Sequence, residues 1–359
     1  MNEVSTATNR GGVKATMDNV PLNQWYAAGG AEEFGREIVA RRLLGKRIVM
    51  YRTENGDPVA MDDRCPHRFM ALSKGQLLGD DIECPYHGFR FGPSGHCTLV
   101  PSISVVPRAM RTRSYPLVEK YGFVWIWMGD EALADVGLIP EIPYGHDWYD
   151  RTFHFCYPIN SNYLRLHENL MDTSHPSFLH EGLFDGGDLA AAPYRTEVEG
   201  NVVRLVRDVG PHVPNESTAK AFNLEPGACV RRTLITETHA PCLNIIYNSF
   251  TYVDDPTRAP SELINAHPIV PAGPKECYQF VSSISSYVLS QPERLAFEDF
   301  FRLVMSQDAM ALESIEEAIE EDDPSAIEYS VKPDEASLKL RRMIMDMARA
   351  ERNAASALN

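Results

Sequence analysis

The chain has no hydrophobic run near the roughly 18 residues that a spanning helix needs; its densest apolar stretch, Phe123 to Met128, reads as a strand. Gly-x-Gly occurs nowhere, so the glycine-rich dinucleotide fingerprint is missing. Basic charge is in short supply: 34 Lys and Arg face 50 Asp and Glu, a net −16 that argues against nucleic acid or an anionic membrane as partner. Residues 1–14 are polar and contain no apolar core of a secretory leader. Paired cysteine spacing is also lacking for Cys97, Cys156, Cys229, Cys242 and Cys277, which therefore read as reduced thiols of a cytoplasmic protein. No internal repeat is visible.

What is present suits a globular enzyme. The 359 residues are long for one core and comfortable for two domains, with 44% apolar and 23% charged residues. Residues 1–17 read as a disordered tail, 18–147 as a β-rich first domain and 148–359 as a second domain, with the boundary near Ile139 to Pro143. Ile48–Arg52, the turn Asn55-Gly56 and Val59–Met61 form a hairpin signal. In the second half a strand precedes a helix at about Ser161–Thr173. Strands are expected at Val202–Arg207, Val230–Thr238, Cys242–Tyr252 and Cys277–Ser286, and helices at about Pro292–Glu321 and Asp334–Arg352. The acidic run Glu316–Asp323 reads as a solvated helix end.

Two mixed pairs carry the first chemistry: Cys65-x-His67 and Cys84-x-x-His87, with sixteen residues between them. Two Cys and two His are the ligand set of a Rieske [2Fe–2S] centre, with two Cys on one iron and two His on the other. Neutral imidazoles in place of two thiolates raise the cluster potential. Arg64-Cys65-Pro66-His67-Arg68 and Cys84-Pro85-Tyr86-His87-Gly88-Phe89 also put rigid Pro and permissive Gly near the tips. The alternative is a structural zinc site, but such sites usually pair like with like.

A second constellation lies in the segment from Asn169 to His180. Asp172 and His175, three apart, share a helical face in this reading. His180 lies five beyond His175; Pro176 kinks or stops the helix, which lets His180 swing back. Two imidazoles plus a distant carboxylate would make the 2-His-1-carboxylate triad of non-haem Fe(II) oxygenases. Downstream, Phe301, Val304, Asp308, Leu312 and Ile315 follow a helical stripe, which puts Asp308 on the apolar face, where an unpaired charge is costly. Metal coordination would relieve that cost; so would a buried Arg or a helix terminus. Glu298 is the closest rival, while Asp299 and Glu313 fall on more polar faces. His96, His146, His154, His167, His212, His239 and His267 have no ligand-like neighbours and read as surface or satisfied core residues, though one of them could touch a substrate.

With both motifs in view the chain, from about Trp25 to the last helix, resembles the terminal oxygenase (α) subunit of the Rieske non-haem iron oxygenases. The pattern Asn169-x-x-Asp172-x-x-His175-x4-His180 is similar to the family's iron site. The resemblance implies cluster binding by Cys65, His67, Cys84 and His87, and mononuclear iron on His175, His180 and Asp308. It also implies Asn169 near the iron, and Asp172 as an electron bridge to a neighbouring subunit's cluster in a ring-shaped homotrimer. One departure is Phe89, where many members have Trp. The implied fold is α+β: a β-rich Rieske domain, then a catalytic domain whose long antiparallel sheet curls over helices. The compact length and the Leu164-x5-Leu170-Met171-Asp172 context look most like the vanillate or dicamba O-demethylase group and related N-dealkylases. The expected activity is therefore oxygenation of a small, aromatic organic substrate with O2 and reductase-supplied electrons, with a ferredoxin as a further candidate partner. O- or N-dealkylation is favoured over ring dihydroxylation or hydroxylation; a simple Rieske electron carrier is the reading of a different class.

Overall fold

The structure is a computed structural model; it describes residues 9–10, 16–143, 150–183, 187–321 and 327–357. Most of the expected tail, 1–8 and 11–15, lies outside the described residues, as does His146. In chain order the strands begin with β1 (Asn9–Arg10), β2 (Trp25–Gly30), β3 (Val39–Leu43), β4 (Lys46–Arg52), β5 (Pro58–Asp62) and β6 (Gln76–Leu78). Then come β7 (Asp81–Glu83), β8 (Arg90–Phe91), β9 (Cys97–Leu99), β10 (Leu117–Lys120) and β11 (Phe123–Trp127). The second half holds β12 (Asp150–Ile159), β13 (Tyr194–Glu199), β14 (Val202–His212), β15 (Val230–His239), β16 (Leu243–Tyr252), β17 (Ser261–Gly273), β18 (Glu276–Ser285) and β19 (Ile327–Glu328). The helices are α1 (Tyr163–Met171), α2 (Pro176–Leu179), α3 (Gly187–Ala191), α4 (Glu216–Ala221), α5 (Gln291–Glu321) and α6 (Glu335–Ala357).

Two compact units form. The smaller contains Leu22–Ile139 with Val270–Gly273; the larger contains the residues before Leu22, Pro140–Ile269 and Pro274 onward. The smaller unit is built from three small sheets: β10-β11-β2, β3-β4-β5 and β6-β7-β8-β9. The run Phe123–Trp127 is a wholly buried strand, as its unbroken apolar pattern demands. Trp25 and Trp127 meet edge to face at 5.5 Å, and the indole N–H groups of Trp25, Trp125 and Trp127 each find a main-chain carbonyl.

The larger unit is a seven-stranded sheet with antiparallel pairings, in the order β12-β18-β17-β16-β15-β14-β13. β17 and β13 were not among the expected strands. Pro260, Pro268 and Pro271 argue against a ladder strand at β17, and β13 is short and mostly exposed. The inward positions of the sheet are unusually polar: Arg232, Thr236, Asn244, Asn248, Asn265, His267 and Gln279 are all buried.

α5 follows the expected stripe except at its end. Ile315 is exposed, and Glu316, one residue on, takes the inward place. This corrects the reading of Glu316–Asp323 as a solvated end for its first member. Glu316 accepts from Asn162 N at 3.1 Å and Ser161 Oγ at 3.3 Å and lies 3.7 Å from Arg165. The start of α1, with its unsatisfied N–H groups, draws the carboxylate in. Glu317 and Glu321 are exposed.

Candidate metal centres

The two Cys–His loops of the smaller unit are built alike. Cys65 N donates to Met70 O at 2.8 Å and Phe69 N to Cys65 O at 2.9 Å. In the second loop Cys84 N donates to Phe89 O at 2.7 Å and Gly88 N to Cys84 O at 3.0 Å. In each loop the residue four past the cysteine is left-handed: Phe69 at φ 62° and Gly88 at φ 72°. The expected Gly thus appears in one loop only; in the other Phe69 takes the strained conformation, which only an overdetermined loop tolerates. Both thiols are buried, and burial pushes the Cys65 thiol up to about 11 in the metal-free chain. His67 and His87 are exposed, with ring centroids 4.7 Å apart, and Phe89 stacks on His67 at 4.7 Å. Two buried sulfurs beneath two exposed imidazoles fit a Rieske cluster with its histidine edge open.

In the larger unit α1 starts at an Asn162 cap, whose side chain accepts from Leu164 N at 2.9 Å. The helix ends at Met171. Asp172 is its C-cap with extended backbone, so it does not share a helical face with His175, contrary to the expectation. The break comes before Pro176, which instead opens α2 at the position proline favours. The cause is local: Asp172 Oδ1 accepts from Ser174 N at 2.7 Å and Ser174 Oγ at 2.5 Å, a side-chain turn that competes with helix. Asp172 Oδ2 is left 3.9 Å from His175 Nδ1, too far for the expected hydrogen bond, and that nitrogen is buried without one.

The swing of His180 back to His175 does occur. Their ring centroids lie 5.3 Å apart at 74°. α5 then brings in Asp308, 3% exposed, whose Oδ1 is 3.4 Å from His175 Nε2 and 3.3 Å from His180 Nε2. The donor atoms of these three residues all lie within 4.8 Å of one another. Burial opposes ionisation of Asp308, but the two imidazoles outweigh it and hold the carboxyl well below the ordinary range. Burial likewise opposes charge on His180, and Asp308 outweighs it, raising that imidazole's pKa. Two nitrogens and one oxygen in a buried group with a strongly favoured carboxylate fit the facial triad that holds Fe(II). The rival Glu298 is engaged elsewhere, with Arg302 at 2.6 Å, and Glu313 accepts from Asn160.

Three further residues complete the centre. Asn169 Nδ2 donates to Asp308 Oδ1 at 3.0 Å. Gln307 Oε1 accepts from His180 Nδ1 at 2.8 Å, so in the neutral imidazole Nε2 carries the lone pair. His267 is buried in the sheet; Gln279 Nε2 lies 3.0 Å from its Nδ1, while its Nε2 has no hydrogen bond. Burial pulls the His267 pKa down to about 4, so it is neutral. His267 is thus a core histidine with one nitrogen unpaired, which departs from the expectation of a satisfied one, and the residue lines a cavity. That cavity is also lined by Asp172, His175, His180 and Asp308. Elsewhere its walls are Phe222, Leu234 and Ile246 among others, with Asn248, Asn265 and His267 as polar stations. Gln307 carried no sequence signal beyond adjacency to Asp308. His267 did carry one: a polar residue at an inward strand position. His167 is also buried with Nδ1 unpaired, and His239 meets Glu237 at 2.7 Å.

Comparison with known proteins places these features. Residues 24–116 match the Rieske [2Fe-2S] domain, and residues 159–350 match the vanillate O-demethylase oxygenase C-terminal domain. The oxygenase component of chloroacetanilide N-alkylformylase from Rhizorhabdus wittichii is 35% identical over 51% of this chain and 53% of its own length. The oxygenase component of dicamba O-demethylase from Stenotrophomonas maltophilia is 38% identical over 44% of this chain and 47% of its own. The matched stretch thus spans about half the length of these curated relatives. Dicamba monooxygenase bound to 3,6-dichlorosalicylic acid superposes with a TM-score of 0.84 at 25% identity, covering 92% of this chain and 98% of that one. A Rieske domain precedes a catalytic sheet that carries a His/Asp site for mononuclear iron, so the chain belongs to the Rieske non-haem iron oxygenases, in the family of the vanillate O-demethylase oxygenase C-terminal domain.

Proposed function

We propose that the chain is the terminal oxygenase component of a multicomponent system that dealkylates a small aromatic substrate at oxygen or nitrogen. The observation that carries this is the convergence of His175, His180 and Asp308 on the wall of a largely apolar cavity. The family context supports it, since relatives of this chain are named as oxygenase components of a chloroacetanilide N-alkylformylase and of dicamba and vanillate O-demethylases. Cys65, His67, Cys84 and His87 would hold the cluster, and His175, His180 and Asp308 the mononuclear iron. When bound, the cluster supplies electrons, and iron with three protein ligands keeps positions open for O2.

The chain's own residues do the rest. Gln307 sets the His180 tautomer, and Asn169 holds the Asp308 carboxylate. Apolar walls exclude water and seat a ring, and Asn248, Asn265 and His267 add polar side chains to the lining. Overall, one oxygen atom enters a C–H bond next to oxygen or nitrogen, and the other leaves as water with two electrons and two protons. The hemiacetal or hemiaminal product then collapses and releases an aldehyde.

The chain is cytoplasmic in this reading, and electrons arrive from a separate reductase, directly or through a ferredoxin. Asp172, with its side chain 38% exposed, is suited to meet the His87 edge of a neighbouring chain in a homotrimer. Asp172→Asn should keep both iron centres and slow reduction of one by the other. The decisive assay combines iron content with turnover: about three irons per chain, and aldehyde from methoxy- or N-alkyl-arenes only when a reductase is added to NADH. Two irons and no product across such a panel would instead fit an electron carrier. Sustained turnover by the isolated chain with NADH would contradict the multicomponent reading.

A further inference from the structure

Arg207 is out of place by the rules of its own strand. Val203, Leu205, Arg207 and Val209 of β14 are spaced by two, and all are buried; Arg207 is 2% exposed. A cation there is costly to desolvate, and an apolar residue of similar volume would stabilise the fold as well or better. Its contacts point to another purpose. Nε donates to Thr173 Oγ1 at 2.5 Å, and Nη1 reaches the carbonyls of Leu189 (2.9 Å), Ala190 (3.1 Å) and Ala192 (2.7 Å). Those carbonyls close the end of α3, where partial negative charge collects. The Tyr194 ring lies against the guanidinium with its centroid at 5.2 Å.

The two ends of this fork belong to different walls of one cavity. Thr173 sits between Asp172 and His175, and all three line it. Leu189 lines it from α3 and packs with Val209 and Leu234. A single planar group therefore ties the turn that carries His175 to an apolar wall that a substrate would touch. Lysine could hold one of these partners but not span them, because it lacks the rigid fork.

We propose that Arg207 is a positioning residue for the oxygenation, fixing the Asp172–His175 turn and the Leu189 wall in one relation so that ligand and substrate stay in register. This rests on the metal role of His175 proposed above.

The test uses the full chain stripped of mononuclear metal and titrated with Co(II), whose visible spectrum reports ligand geometry without turnover. Arg207→Lys, Arg207→Met and Thr173→Val are compared with wild type, alongside product formed per O2 consumed in the reconstituted system. The expected result for both Arg207 variants is Co(II) binding weakened about tenfold or more, the range that residues orienting metal ligands carry, with an altered spectrum and a lower product-to-O2 ratio. Thr173→Val should move all three in the same direction. A merely structural role would lower the melting temperature and leave the spectrum and ratio of the folded protein at wild-type values. Should Arg207→Met fail to fold, Thr173→Val still decides, since it keeps the charge and the three carbonyl contacts. Wild-type affinity, spectrum and ratio in Arg207→Lys and Thr173→Val would overturn the proposal. His175→Ala separates the two layers: if it loses Co(II) while those variants are normal, only the positioning role falls; if it binds Co(II) as wild type does, the metal reading falls and takes this inference with it.

Discussion

Replacing Gln307 by leucine removes the acceptor that His180 Nδ1 reaches at 2.8 Å while nearly keeping the bulk of the side chain. His180 is 2% exposed, so water cannot stand in for the lost oxygen. An unsatisfied buried donor costs about 1–3 kcal/mol. The variant can escape that cost by moving the proton to Nε2, where Asp308 Oδ1 waits at 3.3 Å, but this tautomer cannot ligate a metal through Nε2. Either way the metal-ready form is disfavoured, by about 10- to 100-fold in affinity, or roughly 1.4–2.8 kcal/mol. Anaerobic titration of metal-depleted protein with Fe(II), with the cluster absorption as internal reference, measures the loss. Gln307→Glu keeps an acceptor and should retain wild-type affinity or exceed it. Undiminished Fe(II) affinity in Gln307→Leu would refute the argument that this residue sets the His180 tautomer.

Asp308→Ala is expected to lose mononuclear iron and oxygenation while keeping the cluster spectrum, and His175→Ala and His180→Ala should match it; full activity in Asp308→Ala would turn attention to Glu298. Cys84→Ala or His87→Ala should abolish the visible cluster spectrum while the larger unit stays folded by near-ultraviolet circular dichroism, and an unchanged spectrum would sink the Rieske ligand assignment. His167 is buried, and burial depresses its pKa to about 4, with the Pro241 carbonyl opposing. Its stabilising contribution is therefore complete above about pH 6.5, the unfolded value, and drains away as pH falls toward 4, because only the unfolded chain takes up the proton. Over that window the loss is about 3 kcal/mol, readable as a falling melting temperature that flattens in His167→Asn. An equally steep fall in that variant would reassign the effect.

Local chemistry was legible without coordinates wherever one short segment carries it. The mixed pairs at Cys65–His67 and Cys84–His87 sit in loops closed by their own main-chain hydrogen bonds, so spacing alone announces them. The return of His180 toward His175 follows from a helix break within twelve residues of Asn169, although the break comes from the Asp172 side-chain turn and not from Pro176. Asp308 was visible as a charge on an apolar stripe, because a helix repeats every 3.6 residues and burial follows that repeat. The same stripe misplaced Ile315 and Glu316, since which residue turns inward at a helix end depends on what lies opposite, here the start of α1. Which carboxylate meets the two histidines, which glutamine orients one of them, and which strand residues face the cavity were decided only by packing. Asp308 lies 128 residues beyond His180, and Gln279 and His267 meet across two neighbouring strands. Such contacts are set by strand register and helix docking, which distribute over the whole core and leave no periodic mark in any one segment.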